Sequence, residues 1–333
     1  MKAPKLLILL LFFASNYSTA QTNGEKSDST INNLAHISGY QPSLNNAIPQ
    51  YNIYGSHGKS IILIPGWGFD ASVFKDFIDA NRNDFTIYAV TIPGFGKTQA
   101  PAMPPAGTSY GEHSWNKSAE EGIIKLIEKE KIIRPVIVGH FVTGTQIAAE
   151  LAARYPEKIG ALVLVGGPAK FISIEAGKPK DYALADLIRF TDSYTAPVMF
   201  KAISKLAWDA GNYLPVVYSI DSTIGNNLWK MSADVPMPVM IRYLCEYIAS
   251  DVSTMFNQLK CPVLILRPSF NSKTLEDPIN NYLKPQFIDK WDSVKSTNNA
   301  VKIVNIHNAG IFVWKDAPDK TYSEIRRFTA SIH

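Results

Sequence analysis

Two cysteines among 333 residues are too few for a disulfide scaffold, and the six histidines are scattered. None of them pairs with a nearby Cys, Asp or Glu at a metal-ligand spacing, so neither a metal nor another cofactor is expected. Cys245 and Cys261 leave two arrangements open, a disulfide across the short interval or two separate buried thiols. Charge of one sign is scarce as well. A formal net charge of +4 is too weak a bias for a nucleic-acid partner. Beyond the N-terminal segment there is no long apolar run, so no membrane anchor is expected.

What is present begins with an export-like segment over residues 1–20. Met1, Lys2 and Lys5 form a basic start, Leu6 to Phe13 an apolar core, and Ser18-Thr19-Ala20 a small-residue site before Gln21. The core is too short to span a bilayer, and no cysteine follows it for lipid attachment. Loss of Lys2 and Lys5 would take the formal charge from +4 to +2. The expectation is a signal peptide and a periplasmic or secreted protein. Residues 21–49, rich in Asn, Ser, Thr and Gly, read as a flexible lead-in.

Tyr51 to Tyr54 and Ile61 to Ile64 flank Gly55-Ser56-His57-Gly58-Lys59 and suggest a hairpin. Apolar runs then recur at Thr86 to Ile92, Pro135 to Gly139, Ala161 to Gly166, Pro262 to Leu266 and Val301 to Ile306. They do not alternate, as strands buried on both faces do not, so a mostly parallel central sheet is expected. Ser118 to Lys131 and Thr145 to Tyr155 have helical spacing, with Ile147 and Leu151 on one face. The alternation of strand and helix indicates an α/β class with helices flanking the sheet. From 169 to 259 the rhythm stops, and no strand-like run recurs in a helical, aromatic segment. That interval reads as a cap inserted into a core of 50–168 and 260–333, over the carboxyl ends of the strands. Trp208, Trp229 and Tyr243 within it, with His113 from a loop beneath, are the pocket candidates.

The most informative stretch is Pro135 to Pro156, PVIVGHFVTGTQIAAELAARYP, a strand–turn–helix whose glycines shape it like a nucleophile elbow. Ile62-Leu63-Ile64-Pro65-Gly66-Trp67-Gly68, Thr91-Ile92-Pro93-Gly94-Phe95-Gly96 and the C-terminal Ala309-Gly310-Ile311-Phe312 complete a set of turns. Together these resemble the α/β-hydrolase superfamily, in its capped, exported form. The resemblance implies the α/β-hydrolase fold and an oxyanion-hole-like backbone at Trp67 and Val142. It also implies a Ser–acid–His triad, and here the sequence departs from the pattern. Phe141 stands at the nucleophile when counted from the strand, and Val142 when counted back from Arg154-Tyr155-Pro156. Asn271 stands at the acid, with Asp277 as a later substitute, and Ile311 at the histidine. None of Phe141, Val142 or Ile311 can attack a carbonyl or move a proton.

Three readings follow. One is a protein that binds a small apolar or carbonyl-bearing molecule under its cap without hydrolysing it. Another is a hydrolase or proton-transfer enzyme using Thr143 and His307, although Thr143 also suits a helix N-cap and His307 a structural hydrogen bond. The third is a scaffold for a protein partner whose nature the sequence leaves unknown.

Overall fold

A computed structural model describes residues 46–212, 214–269, 282–297 and 300–332. The expected signal peptide, most of the lead-in, Asn271 and Asp277 lie outside the described residues.

Seven strands form one sheet in the order β1-β3-β2-β4-β5-β8-β9. They are β1 (Gln50–Tyr54), β2 (Ser60–Ile64), β3 (Thr86–Thr91), β4 (Val136–His140), β5 (Ala161–Val165), β8 (Val263–Ser269) and β9 (Val301–His307). Every neighbouring pair is parallel except β1 with β3. The missing alternation has the expected cause, since β4 and β5 are buried at every position. Against the sheet lie α1 (Lys75–Asn81), α2 (Ser114–Lys129) and α3 (Phe141–Arg154). The helices α4 (Leu184–Phe190), α5 (Ala196–Ala202), α6 (Lys205–Gly211), α7 (Ser222–Ala233) and α8 (Met237–Ile248) fall between β5 and β8. They form the cap. After β8 come α9 (Lys290–Thr297) and α10 (Pro318–Ala330).

Three expectations are corrected or resolved. The first two strands do not form a hairpin, because β3 lies between them, antiparallel to β1 and parallel to β2. The aliphatic β2 thereby gains a parallel neighbour on each side, β3 and β4, where a hairpin would have offered it β1. The interval after 169 does contain strands, the small antiparallel pair β6 (Ser173–Glu175) and β7 (Lys178–Lys180). Their residues are half-buried or exposed, and polar at most positions, so a search for apolar runs passes over them. Cys245 and Cys261 are both free and buried.

The cap sits over loops that follow the carboxyl ends of the strands. Trp67, after β2, donates its indole N–H to the Met240 carbonyl at 2.9 Å. Tyr243 donates to the Pro93 carbonyl, after β3, at 2.8 Å. The turn after β9 joins the cap through two backbone bonds, Ile311 N–H to Val217 O at 3.0 Å and Phe312 N–H to Tyr218 O at 3.1 Å.

Candidate functional site

At the end of β4 the chain turns sharply into α3. Phe141 has φ +42° and Val142 has φ +25°. With ψ −96°, Val142 is non-helical inside the first turn. Left-handed φ at an aromatic and then a β-branched residue costs about 1–3 kcal/mol each and needs surroundings that enforce it. Close packing supplies the enforcement. A Cβ on Gly66 would lie 2.6 Å from the Phe141 Cβ, and one on Gly144 would lie 2.5 Å from the Pro65 carbonyl oxygen. The strained elbow is therefore retained with neither a hydroxyl nor a thiol at its tip.

Aromatic rings fill the space above it. Phe141 lies 6.0 Å from Tyr218 and 6.1 Å from Phe287, centroid to centroid. Phe312 packs 4.9 Å from Phe69, 5.4 Å from Tyr218 and 4.4 Å from His140. His140 is fully buried among these rings and Trp314, 4.5 Å away. Neither ring nitrogen makes a well-formed hydrogen bond. The Ile311 backbone nearby raises its basicity slightly, but burial dominates and pushes the imidazole down to about 3. His140 is neutral at any physiological pH. The Tyr218 phenol is pushed up to about 12 by the same burial. Nothing among these groups ionises near neutrality.

The remaining candidates are dispersed. Trp67 lies in a turn closed by Phe69 N–H to Gly66 O at 3.0 Å, with Gly68 at φ +83° as a type II turn requires. That turn abuts the elbow through Gly66, whose added Cβ would meet Phe141 and the His140 carbonyl oxygen. Ile311 is buried and held to Val217. Thr143 is buried too, but the N-cap position falls at His140, and the Thr143 hydroxyl has no partner among the described residues. His307 is exposed at the end of β9. No hydrogen bond joins it to Thr143 among the described residues, so the two are not assembled as nucleophile and base. Trp208 is buried edge-on to Trp67 at 5.9 Å, and Trp229 is half-buried on α7. Tyr243 is consumed by its bond to Pro93 and by packing on Phe95 and Trp115. A recess in the cap, lined by Phe171, Leu187, Phe190 and Ile248, has a volume of about 20 Å³. That is room for a water molecule and little more.

Sequence reasoning missed a buried polar cluster one to three turns farther along α3. His113 pairs with Glu150 at 2.8 Å, and Arg154 with Glu120 at 2.6 Å. Arg242 of α8 pairs with Glu246 at 2.8 Å, with both side chains almost wholly buried. The available signal was Glu150 standing in the apolar run Ile147-Ala148-Ala149-Glu150-Leu151, where an acid must find a partner.

A family model described as alpha/beta hydrolase fold matches residues 59–186. A pimeloyl-[acyl-carrier protein] methyl ester esterase of Yersinia enterocolitica is 25% identical over 121 residues, 36% of this chain and 41% of that protein. One from Citrobacter koseri is 28% identical over 122 residues, 37% of this chain and 42% of that protein. The chain thus spans about two fifths of the length of these relatives. A hydrolase from Oleispira antarctica superposes with a TM-score of 0.63 at 15% identity, covering 88% of this chain and 99% of that one. The enol-lactonase from Burkholderia xenovorans gives 0.59 at 15% identity, covering 85% and 96%. The fold is that of the α/β hydrolases.

Proposed function

We propose that this α/β-hydrolase-fold protein is exported, has given up serine-type hydrolysis, and holds a small, largely apolar molecule beneath its cap. The observation that carries the reading is the elbow. Its strained backbone is intact, yet buried Phe141 and Val142 occupy its tip and buried Ile311 stands in the turn where a histidine would act. Removing one triad member costs several orders of magnitude in rate, and here both nucleophile and base are replaced. What such a site offers is an apolar floor beside the backbone amides of Trp67 and Val142, suited to a hydrocarbon body with one carbonyl or anionic oxygen. Aromatic rings fill the described space over the elbow, so entry of a ligand requires the cap to separate from the core.

Intact mass after treatment with a fluorophosphonate, together with turnover of p-nitrophenyl esters, tests this reading. The expected result is no adduct and no saturable hydrolysis, with native mass spectrometry detecting an apolar molecule that departs on unfolding. A stoichiometric adduct with saturable turnover would overturn it. The second reading, an esterase with unusual machinery, is favoured by the likeness to methyl ester esterases. It requires Thr143→Val to abolish turnover, since Thr143 is the hydroxyl next to the tip.

A further inference from the structure

The seam between α8 of the cap and the core helices α2 and α3 is charged, and His113 is at its edge. This residue closes the turn before α2 at φ +51°, and its side chain keeps 13% exposure. Its Nδ1 lies 2.8 Å from Glu150 Oε1, and its Nε2 lies 3.1 Å from the carbonyl of Ala249, the residue that ends α8. A backbone carbonyl accepts only, and so does a carboxylate. A neutral imidazole has one N–H and can serve one of the two. Serving both takes a second proton, and the resulting cation also faces the negative end of the cap helix.

The other charged and titratable groups around it are accounted for. On α3, Glu150 also accepts from Gln146 at 2.9 Å. Glu120 of α2 lies beside Glu150, and burial, then the Glu150 charge, holds its carboxyl well above the usual range despite Arg154. On α8, Glu246 accepts from the Trp115 and Asn116 amides at 3.0 Å each and from Arg242 at 2.8 Å. The Arg242 guanidinium lies 4.2 Å over Tyr110. Burial raises the nearby Cys245 thiol out of the physiological range. Asp192 accepts from Ser109 and from the Tyr110 amide. Within this set, the imidazole is the group that reaches both the core carboxylate and the cap helix, and its ordinary charge change falls near neutral pH.

We propose that His113 is a proton-operated latch. As the imidazolium it ties the end of the cap helix to Glu150 of the core, and loss of one proton frees one of the two contacts and lets the cap lift. Burial lowers the basicity of His113, but the hydrogen bond and charge of Glu150 outweigh it, so the net shift is upward from 6.5. A raised folded value fixes the sign. The latch is complete below about 6.5 and is lost as pH rises through the raised value, so the cap is tightest in mild acid and loosens in alkali. This concerns docking of the cap and stands whether or not a ligand lies beneath it.

Hydrogen exchange at the amides of Met237–Ile248, corrected for intrinsic rates and measured without added ligand, tests the latch. Opening should increase about tenfold between about pH 6 and about pH 9. Glu150→Gln should move the transition to lower pH, and His113→Gln should flatten it. The wild-type profile decides even if a variant fails to fold, because a flat profile overturns the proposal. The imidazole ¹⁵N shifts give an independent reading. Both His113 nitrogens should be protonated in mild acid, and a neutral tautomer there would overturn the proposal as well.

Discussion

The helix α3 is buried from Phe141 to Ala152, and the two halves of that stretch are chemically opposite. Its first turn, Phe141 to Thr143, faces aromatic rings and contains no group that ionises near neutrality. Its later turns carry Gln146, Glu150 and Arg154, all engaged in polar contacts with α2, α8 or the His113 turn. Burial alone does not distinguish them. At the elbow the His140 nitrogens and the Thr143 hydroxyl lack partners among the described residues, whereas along the seam Arg242 meets Glu246, although the Asn116 side-chain amide, one Glu120 oxygen and the Gln146 oxygen lack partners there too. The buried Arg242–Glu246 pair and the His113–Glu150 contact lie along the seam of the cap, while no group at the elbow ionises near neutrality.

Substitutions at three positions would break or sharpen that contrast. Glu246→Ala should have the largest effect, because it leaves the Arg242 guanidinium buried without its anion and the Trp115 and Asn116 amides without an acceptor. A loss of about 3–5 kcal/mol in urea unfolding is expected. A loss comparable to that of an exposed pair would mean that the seam is solvated. Phe141→Ala should cost about 3 kcal/mol through the cavity it leaves. Phe141→Gly should cost about 1 kcal/mol less than the alanine variant, since glycine tolerates the positive φ. Equal losses for the two would show that the elbow relaxes once the ring is gone. Thr143→Val should be the mildest, within about 0.5 kcal/mol of wild type, because the hydroxyl it removes has no partner among the described residues.

The central sheet was legible because β2, β4 and β5 are buried on both faces and their sequences show it as unbroken aliphatic runs. The elbow was legible through Gly139 and Gly144, which the close strand–helix approach demands. Pairing order was not. Tyr51 to Tyr54 and Ile61 to Ile64 are adjacent in sequence, but β3 intervenes in space, and no local pattern announces that. The polar β6–β7 pair lacks the apolar signature on which strand recognition rests. The charged seam was hidden for a different reason. An acid at one position of a helix looks alike whether it faces water or a partner, and the acceptor for the Trp115 amide is 131 residues away.

Two of the attachments of the cap differ in how evolution can reach them. On the β9 side Ile311 to Val217 and Phe312 to Tyr218 join main chain to main chain, beside the Asp316 carboxylate that accepts from the Ser219 hydroxyl and the Ile220 amide. On the α8 side His113 makes the join with its side chain. Any point substitution at 113 can retune the second, but only proline, which lacks the amide hydrogen, can cut a strand of the first. Substitution at 113 is thus a simple route to retuning one edge of the cap, while the two main-chain bonds at the other edge are open to few single changes.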